Sequence, residues 1–150
     1  YARHQPDFER YAFTAASSVY GIDLLEDNVK ECRERISDYL FTMYAEMFPE
    51  TQCDKFKSAV DFVLTKNLLL GDALTLTLPN TGNPIVFCEW NIVGGNKVKR
   101  VDYTLTNLIA YQPFDGESLF SDLGESAFIP TPLKSFSTTH FKEVQNTNGN

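Results

Sequence analysis

Through the first half of the chain, apolar residues at helical spacing alternate with short runs in which they are contiguous. Phe8, Tyr11, Ala12 and Ala15 recur at intervals of three and four, which predicts a short helix over 7–18. "SVYGID" follows as a compact apolar run of strand type that ends on a lone acid, Asp23. Glu26 and Asp27 then supply a negative first turn, which complements the helix dipole, and Val29, Cys32, Ile36, Leu40, Met43 and Met47 predict one packed face over 26–47. Pro49 ends that helix. A second helix is predicted over 54–66 from Phe56, Val60 and Val63. "NLLLGDAL" reads as a second buried strand closed by Gly71 and a second acid, Asp72.

Helix, strand, long helix, helix, strand is the order that a parallel sheet with helical crossovers demands. The pattern changes at "LPNTGNP", residues 78–84, a turn signal. "PIVFCEWNIV" predicts a third strand, and "GGNK" a tight turn into "VKRVDYTL", hence a hairpin. Beyond residue 110 periodicity fades into a Pro-, Gly- and Ser-rich stretch with scattered aromatics, and "VQNTNGN" reads as a frayed end. The expectation is an α/β domain over 1–110 followed by an irregular extension over 111–150.

Composition narrows the functional classes. At 43% hydrophobic, 13% aromatic and 22% charged residues, the chain is globular rather than disordered. A formal net charge of -7 is the wrong sign for a surface that grips phosphates throughout, so DNA would be met by a local basic patch or by a missing segment. No run is long and apolar enough to span a membrane and no secretory signal opens the chain, so a soluble, cytoplasmic protein is expected. Cys32, Cys53 and Cys88 are odd in number and far apart, as are His4 and His140, which supports neither a disulfide framework nor a metal site. The chain opens on Tyr1 rather than methionine, which points to a fragment, a processed product or a cloned piece.

Both strand-end acids admit two readings. Ligands of open parallel sheets lie outside the carboxyl ends of the strands, where an acid can accept hydrogen bonds from ribose hydroxyls or from an exocyclic amine. A strand-terminal Asp equally serves as an N-cap for the helix that follows.

"SSVYGIDLLEDNVKECRERI" followed by "KNLLLGDAL" resembles the second and third cofactor motifs of S-adenosylmethionine-dependent DNA adenine-N6 methyltransferases of restriction-modification systems, over about residues 8–75. "FCEWN" and "VKRVDYTL" also look like segments of some bacterial or phage members. The resemblance implies a Rossmann-like class I methyltransferase segment, with Asp23 on the ribose of S-adenosylmethionine, Asp72 on its adenine, and Leu24 and Ala73 flanking the ring. Two family motifs are missing: the glycine-rich first motif, and the N-P-P-Y/F tetrapeptide that holds a flipped-out base. The isolated chain is therefore expected to be inactive. The alternative is a non-catalytic, methyltransferase-like interaction module or subunit that docks onto a partner subunit.

"KVKR", Lys97 to Arg100, is the candidate patch for a DNA backbone, against the reading of a short solvated turn. Trp90 and Tyr103 are candidates to stack a base, against the reading of core or rim aromatics. A nuclease is disfavoured, because no Glu-x-Lys or Asp-x-Lys occurs.

Overall fold

The computed structural model describes residues 4–110 and 130–148. It is mixed α/β, with a two-stranded parallel sheet and a separate antiparallel sheet. In chain order the elements are α1 (Gln5–Ser17), β1 (Gly21–Asp23), α2 (Glu26–Met47), α3 (Asp54–Asn67), β2 (Leu68–Leu70), β3 (Val86–Gly94), β4 (Lys97–Thr104), α4 (Leu105–Ala110), β5 (Lys134–Ser135) and β6 (Thr139–His140). A 3-10 helix, Phe141–Asn148, closes the described chain. The expected helices stand close to their predicted limits, but the strand runs shrink to three residues each, leaving Val19 and Tyr20 outside β1 and Asp72 outside β2.

Helix α3 is the centre of the core. Phe56, Ala59, Val60, Val63 and Leu64 are buried on it, packed by Phe8, Ala12, Phe13 and Ala16 of α1 and by Phe141 and Val144 of the 3-10 helix. Two expected faces are displaced. On α1 the core residues are Phe8, Ala12, Phe13 and Ala16, while Tyr11 and Ala15 are exposed. On α2 Val29 is buried and Ile36 and Leu40 are half-buried, but Cys32, Met43 and Met47 face out. Tyr44, at 0% exposure, takes the place expected for Met43 because its ring packs between Phe8, Phe48 and Phe56.

Residues 144–150, expected to fray, behave otherwise as far as they are described: Val144 is fully buried and the 3-10 turn runs to Asn148. What draws this polar segment in is a buried charge. Glu9 of α1 accepts hydrogen bonds from the Tyr44 hydroxyl at 2.5 Å and from Gln5 Nε2 at 3.0 Å, and is ion-paired with Lys142. The Tyr44 oxygen in turn accepts from the Cys53 amide at 3.0 Å and from Gln5 Nε2 at 2.8 Å. α1, α2, the α2–α3 loop and the start of the 3-10 helix are thereby tied to one point.

The antiparallel sheet is built as the turn signal predicts. Gly95 and Asn96 both have positive φ, 58° and 60°, the requirement of a two-residue type I′ turn. The register runs from Val86 opposite Thr104 to Gly94 opposite Lys97, with an irregularity between Ile92 and Gly94. β5 and β6 both pair with β4. One face of the hairpin packs on α3, where the Trp90 indole N–H donates to Asn67 Oδ1 at 2.8 Å and Asn67 Nδ2 donates to the Ser17 carbonyl at 3.1 Å.

Glu9 carries two opposed influences: burial raises its pKa, and the donors from Lys142, Tyr44 and Gln5 outweigh it, so the group sits below its usual 4.5. A carboxyl whose folded pKa is depressed contributes stability that is present above the unfolded pKa and lost as pH falls through the folded one. Acid titration of denaturant midpoints should therefore show stability declining below about pH 4.5. Tyr44→Phe should cost about 1–3 kcal/mol, since it leaves Glu9 short of a donor and the Cys53 amide without an acceptor, and should flatten that acid decline. A variant as stable as the parent would remove the knot from any structural role.

Candidate functional site

β1 and β2 run parallel in the register Gly21–Leu68, Ile22–Leu69 and Asp23–Leu70. Their carboxyl ends therefore lie side by side, and the Gly71 amide extends the ladder by donating to the Asp23 carbonyl at 3.0 Å. This brings Asp23 and Asp72, distant in sequence, to one edge of one sheet. Gly71 suits that junction because it lacks a Cβ. A Cβ at that position would stand 2.6 Å from Cδ1 of Ile85 and 3.0 Å from Cγ2 of Ile22.

The two carboxylates are held differently. Asp23 is not the N-cap of α2; Leu25 is, and it lends no side-chain cap. Asp23 instead closes the turn before the helix, with Oδ1 accepting from the Leu25 amide at 2.8 Å and Oδ2 from Asn28 Nδ2 at 3.2 Å. Asp72 opens a tight loop: Oδ1 accepts from the amides of Leu74 and Thr75 at 2.8 and 3.3 Å, and its backbone bonds to Thr77 and Leu76. Those amide hydrogen bonds, Leu74's first, hold the Asp72 carboxyl below its usual range. The Thr75 side chain is a further hydrogen-bond donor to this carboxylate. Each carboxylate has about four acceptor sites, so both retain capacity for an external donor.

Leu24 and Ala73 stand exposed beside the acids, and Leu74 is 95% exposed. A cavity of about 150 Å³ lies between the strands and α2, lined by Ile22, Asp23, Asn28, Val29, Cys32 and Leu69 among others. That is half the lower end of the usual range for ligand pockets, about 300 Å³. A nucleoside at this edge would lie across the open strand ends rather than inside. On the far side of β2 the Arg33 guanidinium donates to the Leu68 carbonyl and to that of Thr65 at the end of α3.

The other candidates are resolved by the hairpin. Of the basic run, Lys97 and Lys99 are exposed, but Arg100 is buried in a bidentate pair with Asp102, at 2.7 and 2.9 Å, under the ring of Phe136. The expected four-residue patch is therefore two lysines. Trp90 is core, whereas Tyr103 is half-buried at the rim of a larger cavity with Tyr20, Phe87 and Glu89. Sequence reading passed over those three. The signal was present: period-two alternation puts Phe87 and Glu89 on the face opposite Cys88 and Trp90, and the turn at Gly95–Asn96 fixes Phe87 opposite Tyr103. Among the described residues no cluster of His, Cys, Asp and Glu could hold a metal ion, and no helix is long and apolar enough to cross a membrane.

Set against known proteins, the chain matches no family model, no curated protein and no solved structure.

Gly71→Ala should overpack the junction of the two strands, because Ile85 is fully buried and Ile22 lies within the sheet. We expect a loss of about 1–3 kcal/mol by equilibrium unfolding. An unchanged midpoint would mean that Ile85 yields freely.

Proposed function

We propose that this chain is the cofactor-binding part of an S-adenosylmethionine-dependent DNA adenine-N6 methyltransferase. The observation that carries the reading is the meeting of Asp23 and Asp72 at the carboxyl edge of a parallel pair, the position where ligands of open α/β sheets bind. It is the arrangement that the motif resemblance requires of these two residues. In this reading the domain is a Rossmann-like segment. Asp23 accepts from the ribose hydroxyls, Asp72 accepts from the adenine amine, and Leu24 and Ala73 flank the ring. S-adenosylmethionine would supply the methyl group. No residue is assigned to hold the target base, since no N-P-P-Y/F occurs. Lys97 and Lys99 are the exposed cations left in the hairpin's basic run to meet a DNA backbone.

A second reading, a non-catalytic module that docks onto another subunit, is favoured by one feature: Leu24, Leu25 and Leu74 are more than half exposed around the same edge.

Calorimetric titration with S-adenosylmethionine and, separately, S-adenosylhomocysteine distinguishes the two. The cofactor reading expects saturable binding that Asp23→Ala weakens by about 1–3 kcal/mol, the range for losing a charged hydrogen-bond partner. A folded chain that binds neither compound, or an Asp23→Ala variant that binds as the parent does, would leave the interaction module.

A further inference from the structure

The face of the β3–β4 hairpin turned away from α3 carries a cavity of about 460 Å³, lined by Tyr20, Phe87, Glu89, Tyr103, Leu108 and Pro130 among others. It lies within the size range of small-molecule sites. Three of its walls are aromatic. Phe87 and Tyr103 are directly opposite one another across the two strands, and Glu89 follows Phe87 on the same face. Tyr20 crosses from the segment before β1, and its hydroxyl donates to the Cys88 carbonyl at 2.7 Å. That bond and the ring contact with Phe87 fix the wall in place before any ligand arrives.

Ring orientation decides what shape fits. Tyr20 and Phe87 stand at 86° with centroids 5.5 Å apart, so they form a corner rather than a slot. A planar base stacks on one face and leaves the second wall uncovered; a compact, rounded group touches both walls of a corner. The charge in the cavity decides the sign. Glu89 is exposed and has no ion-pair partner among the described residues. Burial and then the neighbouring Glu89 charge raise the Tyr103 phenol, so the carboxylate acts on the aromatic wall. Aromatic faces attract cations through their quadrupole, and a carboxylate beside them adds a full counter-charge.

We propose that this cavity binds a small organic cation of the quaternary-ammonium class, its methyl groups against Tyr20, Phe87 and Tyr103 and its charge facing Glu89. The site is separate from the strand-end acids and does not depend on the reading given to them.

The probe is choline, titrated into the 150-residue chain by calorimetry beside its neutral isostere 3,3-dimethyl-1-butanol. The two differ in charge and hardly in shape. Choline should bind about tenfold more tightly, as a desolvated cation–π contact implies. Glu89→Gln and Tyr103→Leu should each weaken choline by a similar factor, while Asp23→Ala leaves it unchanged. Equal affinity for the isostere would mean that the cavity is merely apolar. Absence of saturable choline binding by a chain whose circular dichroism shows it folded overturns the proposal, as does tighter binding of a purine nucleoside that Glu89→Gln or Tyr103→Leu weakens.

Discussion

The buried carboxylate of Glu9 constrains the fold more than any other single group. A charge in a core is tolerated only when its oxygens are fully engaged and a counter-charge stands close. Gln5, Tyr44 and Lys142 meet that demand, and they come from three places in the chain. Lys142 can reach Glu9 only if the last segment folds back over α3, which brings Phe141 and Val144 into the core. Tyr44 can reach it only if α2 presents that side rather than Met43. The apolar packing supplies the bulk of the stability, but the pairing of Glu9 selects which arrangement of that packing is adopted.

The parallel pair depends on this arrangement. Two strands of three residues make too small a sheet to persist alone. β1 and β2 are held because α3 runs directly into β2, α1 leads into β1, and Asn67 joins the end of α1 to the indole of Trp90. Arg33 of α2 holds the start of β2 through the Leu68 carbonyl. The coming together of Asp23 and Asp72 is thus a consequence of helix packing at a distance. Gly71 is the local condition, since a Cβ there would force Ile85 to shift against Ile22.

What could be read in the sequence was the local grammar. The helix limits followed from the acidic first turn of α2 and from Pro49, and the hairpin from adjacent glycines between alternating runs. Faces were harder. Tyr11 and Phe13 are both plausible core residues of α1, and only the position of the 3-10 helix, with Phe141 against Phe13, decides between them. That segment, "FKEVQNTN", is polar enough to hide Phe141 and Val144 three residues apart. Its attraction is an ion pair to the opposite end of the chain, which no local window contains. The acids of the candidate site were legible as residues at strand ends, and the motif resemblance implied their meeting, but the three-residue register that sets it was not legible. Arg100 was legible in principle: alternation along β4 places it with Val98 and Asp102 on the inner face.

Electrostatics connects these features to the outer surface. A chain with 13 lysines and arginines against 20 acids has few cations to give away. Several of them are turned inward: Arg33 to backbone carbonyls, Arg100 to Asp102, and Lys142 to Glu9. Each inward commitment removes a cation from contact with any partner, while Glu89 stays at the rim of its cavity and Asp23 and Asp72 stay at the sheet edge. Anionic polymers are attracted by released counterions only in proportion to the phosphates neutralised. On that scale two lysines of the hairpin turn contribute little, so any hold on DNA by this chain must be steered by residues beyond the basic run. A cation meets the opposite situation, because the exposed Glu89 faces it beside the aromatic walls of Tyr20, Phe87 and Tyr103.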